Sequence, residues 1–307
     1  IYTGNGGTQA ITGTGFKPDF TWIKKRSGAQ VHNLYDSVRG INKVLYSDLT
    51  NAQATVTSIS SFDTNGFTLA NGGGDTNASV STYVSWNWKA GGTPSINTDG
   101  TTTSIVSANQ AAGFSVVQYT GDANSSSTIG HGLTPNSQPM LVIMKDLDSS
   151  NDWMVITNNL WSNPTAYFLK LNLTNALDTG TGNPYLVNNT VFKNTNRNTS
   201  LNNYIAYCFT SISGYSKVGS YSGTGAAQTI TTGFQPGFLM VKASSHASSW
   251  YIVDSARTPN YFLSPNSSAA EYTDSGKITF TSNGFTLGST SYNNSGYTWI
   301  YLAIKEN

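Results

Sequence analysis

Hydrophobic and polar residues alternate with a period of two along much of this chain. Near the end of the first third, for example, Val84, Trp86 and Trp88 occupy alternate positions and would share one face of a strand. Asn-Gly pairs at 65–66 and 283–284 separate such stretches and are typical of tight hairpin turns. Helical spacing with capping residues is nearly absent. The pattern predicts an all-β fold of antiparallel strands.

The alternating pattern recurs in three tandem copies. Each copy opens on a Tyr-Thr-Gly or Tyr-Ser-Gly turn, passes a Gly-(Phe/Leu)-x-Pro corner and ends on an apolar closing strand. The predicted boundaries are 1–92, a polar linker at 93–112, a divergent second copy at 113–214, and 215–307. About seven strands per copy favour three tandem β-sandwiches of jelly-roll or concanavalin-like type.

The first copy starts differently from the other two. The second and third copies begin with a strand before the Tyr-Gly turn, whereas the first begins at Ile1, where that strand would already be ending. We therefore expect the first strand of 1–92 to be missing. Either the chain is the C-terminal portion of a longer polypeptide, or a neighbouring molecule supplies the strand.

The closing strands of the three copies align without gaps. On one face, every position carries a large apolar residue, namely Val84, Trp86 and Trp88, then Ile205, Tyr207 and Phe209, then Ile300, Leu302 and Ile304. A platform for stacking sugars needs a flat ring, which Leu302 and Ile304 lack. We predict that all nine are core residues, packed against the facing sheet of each sandwich.

Composition narrows the classes of partner. The chain has 307 residues, a formal net charge of +1 and 10% charged residues, against about 25% in typical globular proteins. Near-neutrality disfavours nucleic acid and anionic membranes as partners. No apolar stretch approaches the ~20 residues that span a bilayer. The single cysteine, Cys208, excludes an internal disulfide framework, and we expect it to be a partly buried, unreactive thiol.

Candidate catalytic groups do not converge. The three histidines, His32, His131 and His246, fall at three different places of the repeat, so we interpret them as loop or surface residues. Asp36 and Asp254 are equivalent, and each precedes an arginine by three positions. A structural aspartate that holds a turn is favoured over a catalytic acid, since the second copy has threonine there. We predict no enzyme, no catalytic residue and no cofactor, and a hydrolase is the weakest alternative.

One acidic segment resembles a calcium loop. Asp146, Asp148 and Asp152 place oxygens at nearly alternate positions. The segment lacks the turn glycine and the final glutamate of an EF-hand, so we favour a solvated hairpin tip over a metal site.

Four stretches together resemble a repeat of tailed-bacteriophage structural proteins, notably those of marine phages. They are "GFKPDFTWIKKR", "LYDSVRG", "FDTNGFTLA" and "YVSWNWKAGG". The resemblance covers the first copy well, the third moderately and the second weakly. It implies a concanavalin-like or jelly-roll β-sandwich in tail-fibre-like and other virion proteins, and it carries no known catalytic residues.

The resemblance favours a virion protein of a tail fibre, spike or capsid-surface appendage. Its expected partners are other virion proteins and a host-surface receptor, including glycans, without nucleic acid or membrane insertion. Repeated contacts would supply avidity, and a homo-oligomer, most often a trimer, is expected. One alternative is a secreted carbohydrate-binding protein that uses exposed aromatics at Trp161, Tyr46 and Tyr292. Another is a capsid decoration protein without a ligand.

Overall fold

A computed structural model of the chain describes residues 1–71, 74–134, 140–160, 166–180, 188–193, 201–257, 260–274, 277–288 and 290–306. Strands account for 48% of the structure and helices for 3%, so the all-β prediction is confirmed. Within these ranges, no helix is long and apolar enough to cross a membrane.

Three units, defined here as residues 1–92, 93–214 and 215–307, contain the strands. The first has β1 (Tyr2–Thr3), β2 (Gln9–Thr12), β3 (Phe20–Lys25), β4 (Asn33–Asp36), β5 (Lys43–Val44), β6 (Ala54–Thr55), β7 (Ile59–Asp63), β8 (Gly66–Leu69), helix α1 (Gly74–Asn77) and β9 (Thr82–Trp88). The second has β10 (Ser95–Asn97), β11 (Ser104–Asn109), β12 (Phe114–Thr120), β13 (Thr128–Gly130), β14 (Met140–Asp146), β15 (Met154–Thr157), a 3-10 helix (Asn158–Leu160), β16 (Ala166–Lys170), β17 (Asp178–Gly180), β18 (Val191–Lys193) and β19 (Asn203–Thr210). The third has β20 (Ser216–Ser222), β21 (Gln228–Thr231), β22 (Pro236–Ala243), β23 (Trp250–Asp254), β24 (Tyr261–Phe262), β25 (Tyr272–Thr273), β26 (Ile278–Thr281), β27 (Gly284–Leu287), a 3-10 helix (Thr290–Tyr292) and β28 (Thr298–Lys305).

Each unit contains an inner sheet with the same strand order. The orders are β1-β9-β3-β4, β12-β19-β14-β15 and β20-β28-β22-β23, all antiparallel, and in the second unit β10, β11, β16 and β17 extend the sheet. A smaller outer sheet covers one face of each inner sheet, with the orders β2-β8-β7, β13-β18 and β21-β27-β26. Every unit is therefore a sandwich of two sheets.

The Asn-Gly pairs lie at the turns of the outer hairpins, where the asparagine is the last turn residue and the glycine the first strand residue. Gly66 begins β8 directly after one turn, and Gly284 begins β27 directly after the other. A Cβ atom on Gly66 would lie 1.9 Å from the carbonyl oxygen of Ile11, and one on Gly284 would lie 2.0 Å from that of Ile230. Both positions therefore require glycine because a neighbouring strand approaches the backbone too closely for any side chain.

The second face of each inner sheet packs into one central core that all three units share. Phe20 of the first unit stacks on Tyr207 of the second at 4.1 Å between ring centroids, and Trp86 meets Phe238 of the third edge-on at 5.9 Å. All nine closing-strand residues predicted as core belong to this central core and are at most 9% exposed. The expectation that they pack against the facing sheet of their own sandwich is wrong, because the other two units cover that face.

Each sandwich also has its own peripheral core between its inner and outer sheets. Tyr83 and Phe67 belong to that of the first unit, Cys208 and Val142 to that of the second, and Tyr301 to that of the third. The inner strands are thus buried on both faces, and all seven residues of β14 are buried.

The segment 93–112 is not a linker. It forms the hairpin of β10 and β11, and β11 pairs with β12 along its whole length, from Ser104↔Tyr119 to Asn109↔Phe114. Its few apolar residues suggested a tether, but β11 lies between β10 and β12 in the sheet, with Val106 in the peripheral core and Ala108 packed against that core.

Candidate functional site

Equivalent residues of the three units make contacts across the unit boundaries, and the contacts link the units in a closed cycle. Each ring nitrogen contacts a backbone carbonyl oxygen of the neighbouring unit, and the pairs are Trp153 Nε1 to Tyr46 at 2.8 Å, Trp250 Nε1 to Lys170 at 2.9 Å, and His32 Nε2 to Ser264 at 3.0 Å. Seven positions after each of these carbonyl groups, a backbone amide donates back across the same boundary, as Gln53 to Leu147, Leu177 to Ser244 and Glu271 to Arg26. The three units therefore close around a pseudo-threefold axis.

His32 is a buried neutral imidazole. Its Nδ1 accepts a hydrogen bond from Trp22 Nε1 at 2.9 Å, which leaves Nε2 to donate to Ser264. Burial is the main reason that its pKa lies well below the ordinary value, and the nearby Lys24 ammonium acts in the same direction. His32 lies in the loop directly before β4, but it is not a surface residue, because its ring fills a boundary position that tryptophan fills in the other two units.

Asp36 is the centre of a buried ionic cluster between the first and second units. Its Oδ1 accepts the backbone amides of Val38 and Arg39, and its Oδ2 lies 2.5 Å from Arg39 Nε. Tyr207 of the second unit donates its hydroxyl to the same Oδ2 at 2.8 Å. Burial raises the pKa of Tyr207 well above its usual value, so the hydroxyl keeps its proton.

Asp254 forms the equivalent cluster between the third and first units. It pairs with Arg257 at 2.7 Å and accepts Trp86 Nε1 of the first unit at 2.8 Å. Arg257 also lies over the Trp86 ring, 5.6 Å from its centroid, and pairs with Glu271, which holds Arg26. The oxygens of Asp254 and Glu271 are thus occupied by the guanidinium groups of Arg257 and Arg26 and by the Trp86 indole. These carboxylates stabilise the unit boundary.

The boundary between the second and third units has neither the acid nor its donor. Thr157 replaces the aspartate and bonds to the Met140 carbonyl, and Leu302 replaces the aromatic donor. Because the aspartate and its donor are both absent, neither is left buried without a partner. An unpaired buried polar group would lower the stability more than the absence of the pair does.

Three equivalent lysines, Lys24, Lys145 and Lys242, are buried at the ends of the inner strands. Each ammonium donates to the carbonyl of the following residue, at 2.7, 2.8 and 2.6 Å respectively. Burial lowers the pKa of Lys24 to about 8 and that of Lys242 to about 8. Each of these buried ammonium groups thus has a backbone carbonyl as an acceptor.

An open groove lies along one edge of β9, where the first unit meets the third. It has a volume of about 550 Å³ and is bounded by Ser85–Lys89, by the ends of β22 and β28, and by the β11–β12 turn. The four least buried members of the central core, at 7–9% exposed, all line it: Trp86, Trp88, Phe238 and Ile304. Lys89, Lys305 and Glu306 supply charge at its rim. We call it the β9 groove, and it is the strongest candidate binding site of the described residues.

Two of the three aromatics predicted to be exposed lie in or beside a peripheral core. Tyr292 is 2% exposed and lies inside the peripheral core of the third unit, and Tyr46 is half-buried beside that of the first. Trp161 lies outside the described residues. Turn-rich sequence around Tyr292 suggested exposure, but its ring stacks on Phe262 at 4.8 Å.

The acidic segment forms the turn of the β14–β15 hairpin, as predicted, with Asp148 exposed, but its first carboxylate is buried. Asp146 is 3% exposed, and its carboxylate accepts the amides of Asp148 and Ser149 and the side-chain nitrogens of Asn151 and Asn202. Asp148 bonds to the amide of Asn203, and Asp152 pairs with Lys170 at 3.3 Å. Over the part of the chain that is described, no group of three His, Cys, Asp or Glu residues could hold a metal ion.

The other two histidines and the cysteine differ in how far they are buried. His131 is fully buried and contacts the Asn188 carbonyl, contrary to the surface interpretation, whereas His246 is exposed and stacks on Tyr297. Cys208 is fully buried, and burial raises the pKa of its thiol to about 12. The boundary contacts of His32, Trp153 and Trp250 were not predicted, but the sequence does indicate them, since these three residues occupy one position of the repeat.

No curated protein and no solved structure matches the chain. A family profile does match, and it spans residues 1–307, so one family unit includes all three sandwiches and the shared core. The chain belongs to the family described as Domain of unknown function (DUF7483).

Proposed function

We propose that this chain is a non-enzymatic structural protein of a phage virion, part of a tail fibre, spike or capsid-surface appendage that contacts the host surface or neighbouring virion proteins. The observation that carries the proposal is the closed ring of three sandwiches around one core. Such an arrangement presents three related outer surfaces from a rigid body, which suits multivalent attachment through weak contacts.

The chemistry of the buried groups supports a structural role. The Asp36, Asp254 and Glu271 carboxylates, together with the three buried lysines, are engaged in contacts within or between units. Catalysis would need an acid, base or nucleophile directed into a cleft. The β9 groove instead presents strand backbone, aromatic rings and rim charges, which suits binding of another polypeptide.

Locating the protein on purified particles tests the proposal. Particles from a culture that produces the protein are separated on a density gradient, and an antibody against the chain is applied with gold labelling. We expect the chain to co-sediment with virions and the label to decorate the tail or capsid surface. Excess purified chain should reduce particle adsorption if it contacts the receptor. Recovery only in the soluble secreted fraction would contradict the proposal, and a glycan array would then test the carbohydrate-binding alternative.

A further inference from the structure

A second cleft lies just beyond the end of β9, where the chain passes from the first unit to the second. Its volume is about 490 Å³, and its lining shares only Lys89 with the β9 groove. The walls are formed by Lys17, Asp19 and Ser37 of the first unit and by the segment 89–94, which leads into β10. We call it the Lys17 cleft.

Two lysines that line this cleft have unengaged ammonium groups. Lys17 and Lys89 are both exposed, and neither makes an ion pair or a hydrogen bond with any described residue. In the Gly-(Phe/Leu)-x-Pro corner, the residues equivalent to Lys17 are Thr134 and Gln235. The repeated fold therefore does not require a cation at this position, and the pair of lysines belongs to the first unit alone.

The carboxylate in the wall of the cleft is already engaged. Asp19 is 5% exposed, and its Oδ1 accepts the Ser37 hydroxyl at 2.9 Å while its Oδ2 accepts the Ala90 amide at 2.8 Å. These two bonds join the first unit to the segment that leads into β10. With two ammonium groups and one carboxylate, the lining has an excess of one positive charge.

Three consecutive backbone amides of the same cleft have no acceptor in the described part of the chain. They belong to Gly91, Gly92 and Thr93. Gly92 has a φ of 77°, in the left-handed region, and Gly91 does not. Where a left-handed residue follows one of ordinary φ, successive N–H groups can turn toward one point, and such concavities bind anions. A Cβ on Gly91 would lie 2.4 Å from the carbonyl oxygen of Ala108, so the bend requires both glycines.

We propose that the Lys17 cleft binds a small organic acid of the size of an acidic sugar. Its carboxylate accepts the amides of residues 91–93 and pairs with the ammonium groups of Lys17 and Lys89, which offsets the excess positive charge. A volume of about 490 Å³ lies in the range of small-molecule sites and is far larger than a carboxylate needs. The remaining space takes the neutral body of the ligand, such as a sugar ring with hydroxyl groups that bond to Ser37 and Thr93.

Titration of the ¹⁵N-labelled chain with D-glucuronate, at constant ionic strength, tests this site. We expect the amide resonances of Gly91, Gly92 and Thr93 to shift most and to saturate together. The dissociation constant should be about 1 mM, because exposed lysines contribute only weakly. Methyl glucoside, which has the ring without the acid, should not shift these resonances. Acetate, which has the acid without the ring, should bind at least about threefold more weakly than glucuronate.

A double variant and a control of equal charge complete the experiment. Lys17→Gln with Lys89→Gln should weaken glucuronate binding about three- to tenfold. Lys25→Gln with Lys193→Gln removes the same charge from lysines outside the cleft and should leave the affinity unchanged. Equal weakening in the two double variants, or none in the first, overturns the proposal, as does a titration in which residues 91–93 do not shift. Equal affinity for acetate and glucuronate overturns the assignment of a sugar-sized ligand.

Discussion

At one position of the three closing strands, Trp86, Tyr207 and Leu302 each face a neighbouring unit across the central core. Two of them donate a hydrogen bond to a buried aspartate of that neighbour, and the third faces a unit in which threonine stands instead. A single atom on each side chain therefore decides whether a buried carboxylate keeps all its donors. The residue type at this position therefore depends on the residue that it faces across the boundary, and not on the strand to which it belongs.

Replacing Tyr207 with Phe should lower the free energy of unfolding by about 1–3 kcal/mol, because the buried Asp36 carboxylate loses one donor with nothing to replace it. Urea unfolding at neutral pH measures the change. Tyr301→Phe is the matched control, since Tyr301 is similarly buried but its hydroxyl bonds to none of the described residues. Equal losses in the two variants would show that the boundary bond contributes nothing specific.

His32 should make the fold sensitive to mild acid. Its pKa lies below the ordinary value in the folded chain, so the unfolded chain binds the proton first as the pH falls below about 6.5. Stability that is present above that pH is lost below it, and His131, whose pKa burial also lowers, adds to the loss. Between about pH 7 and 5.5, His32→Gln should lose less unfolding free energy than the parent. If the stability of His32→Gln depends on pH as steeply as that of the parent, the assignment is contradicted.

At the scale of elements, the hairpin β10–β11 shows how a covered strand can look like a tether. Val106 is 5% exposed and packs in the peripheral core of the second unit, whereas Ile105, on the other face, is 45% exposed. Val106→Ala should cost about 1–3 kcal/mol of unfolding free energy, and Ile105→Ala should stay within about 0.5 kcal/mol of the parent. Thermal or urea unfolding distinguishes them. A true linker would tolerate both changes alike.

Alternation along the chain is sufficient to predict the strands, the Asn-Gly turns and the apolar face of each closing strand. It does not reveal which surface covers that face. In a sandwich, one sheet face is expected to be buried, so Trp86 and its equivalents were assigned to the facing sheet, while small and medium residues such as Ala206 and Cys208 turned out to fill that interior. The second buried face depends on how whole units pack, which is not a local property of the sequence.

At the scale of the whole molecule, the three sandwiches depend on one another. The central core takes residues from every unit, and each boundary is closed by a ring-nitrogen contact and a backbone amide at equivalent positions. The family profile covers the same three units together. A single chain thus has the closed threefold arrangement that symmetric oligomers reach with separate subunits.

The third unit on its own should therefore fail to fold. Residues 215–307 alone would expose Phe238, Met240, Ile300 and Leu302, which are buried only because the other units cover them. We expect the isolated fragment to lack slowly exchanging amides, and the whole chain to unfold in one calorimetric transition with matching calorimetric and van't Hoff enthalpies. Refolding fragment 215–307 together with fragment 1–214 is the control, because recovery of the native spectrum shows that the cut beside Gly214 is itself tolerated. A folded isolated fragment, or three separate transitions in the whole chain, would mean that the peripheral cores are sufficient and that the central core joins units that are already stable.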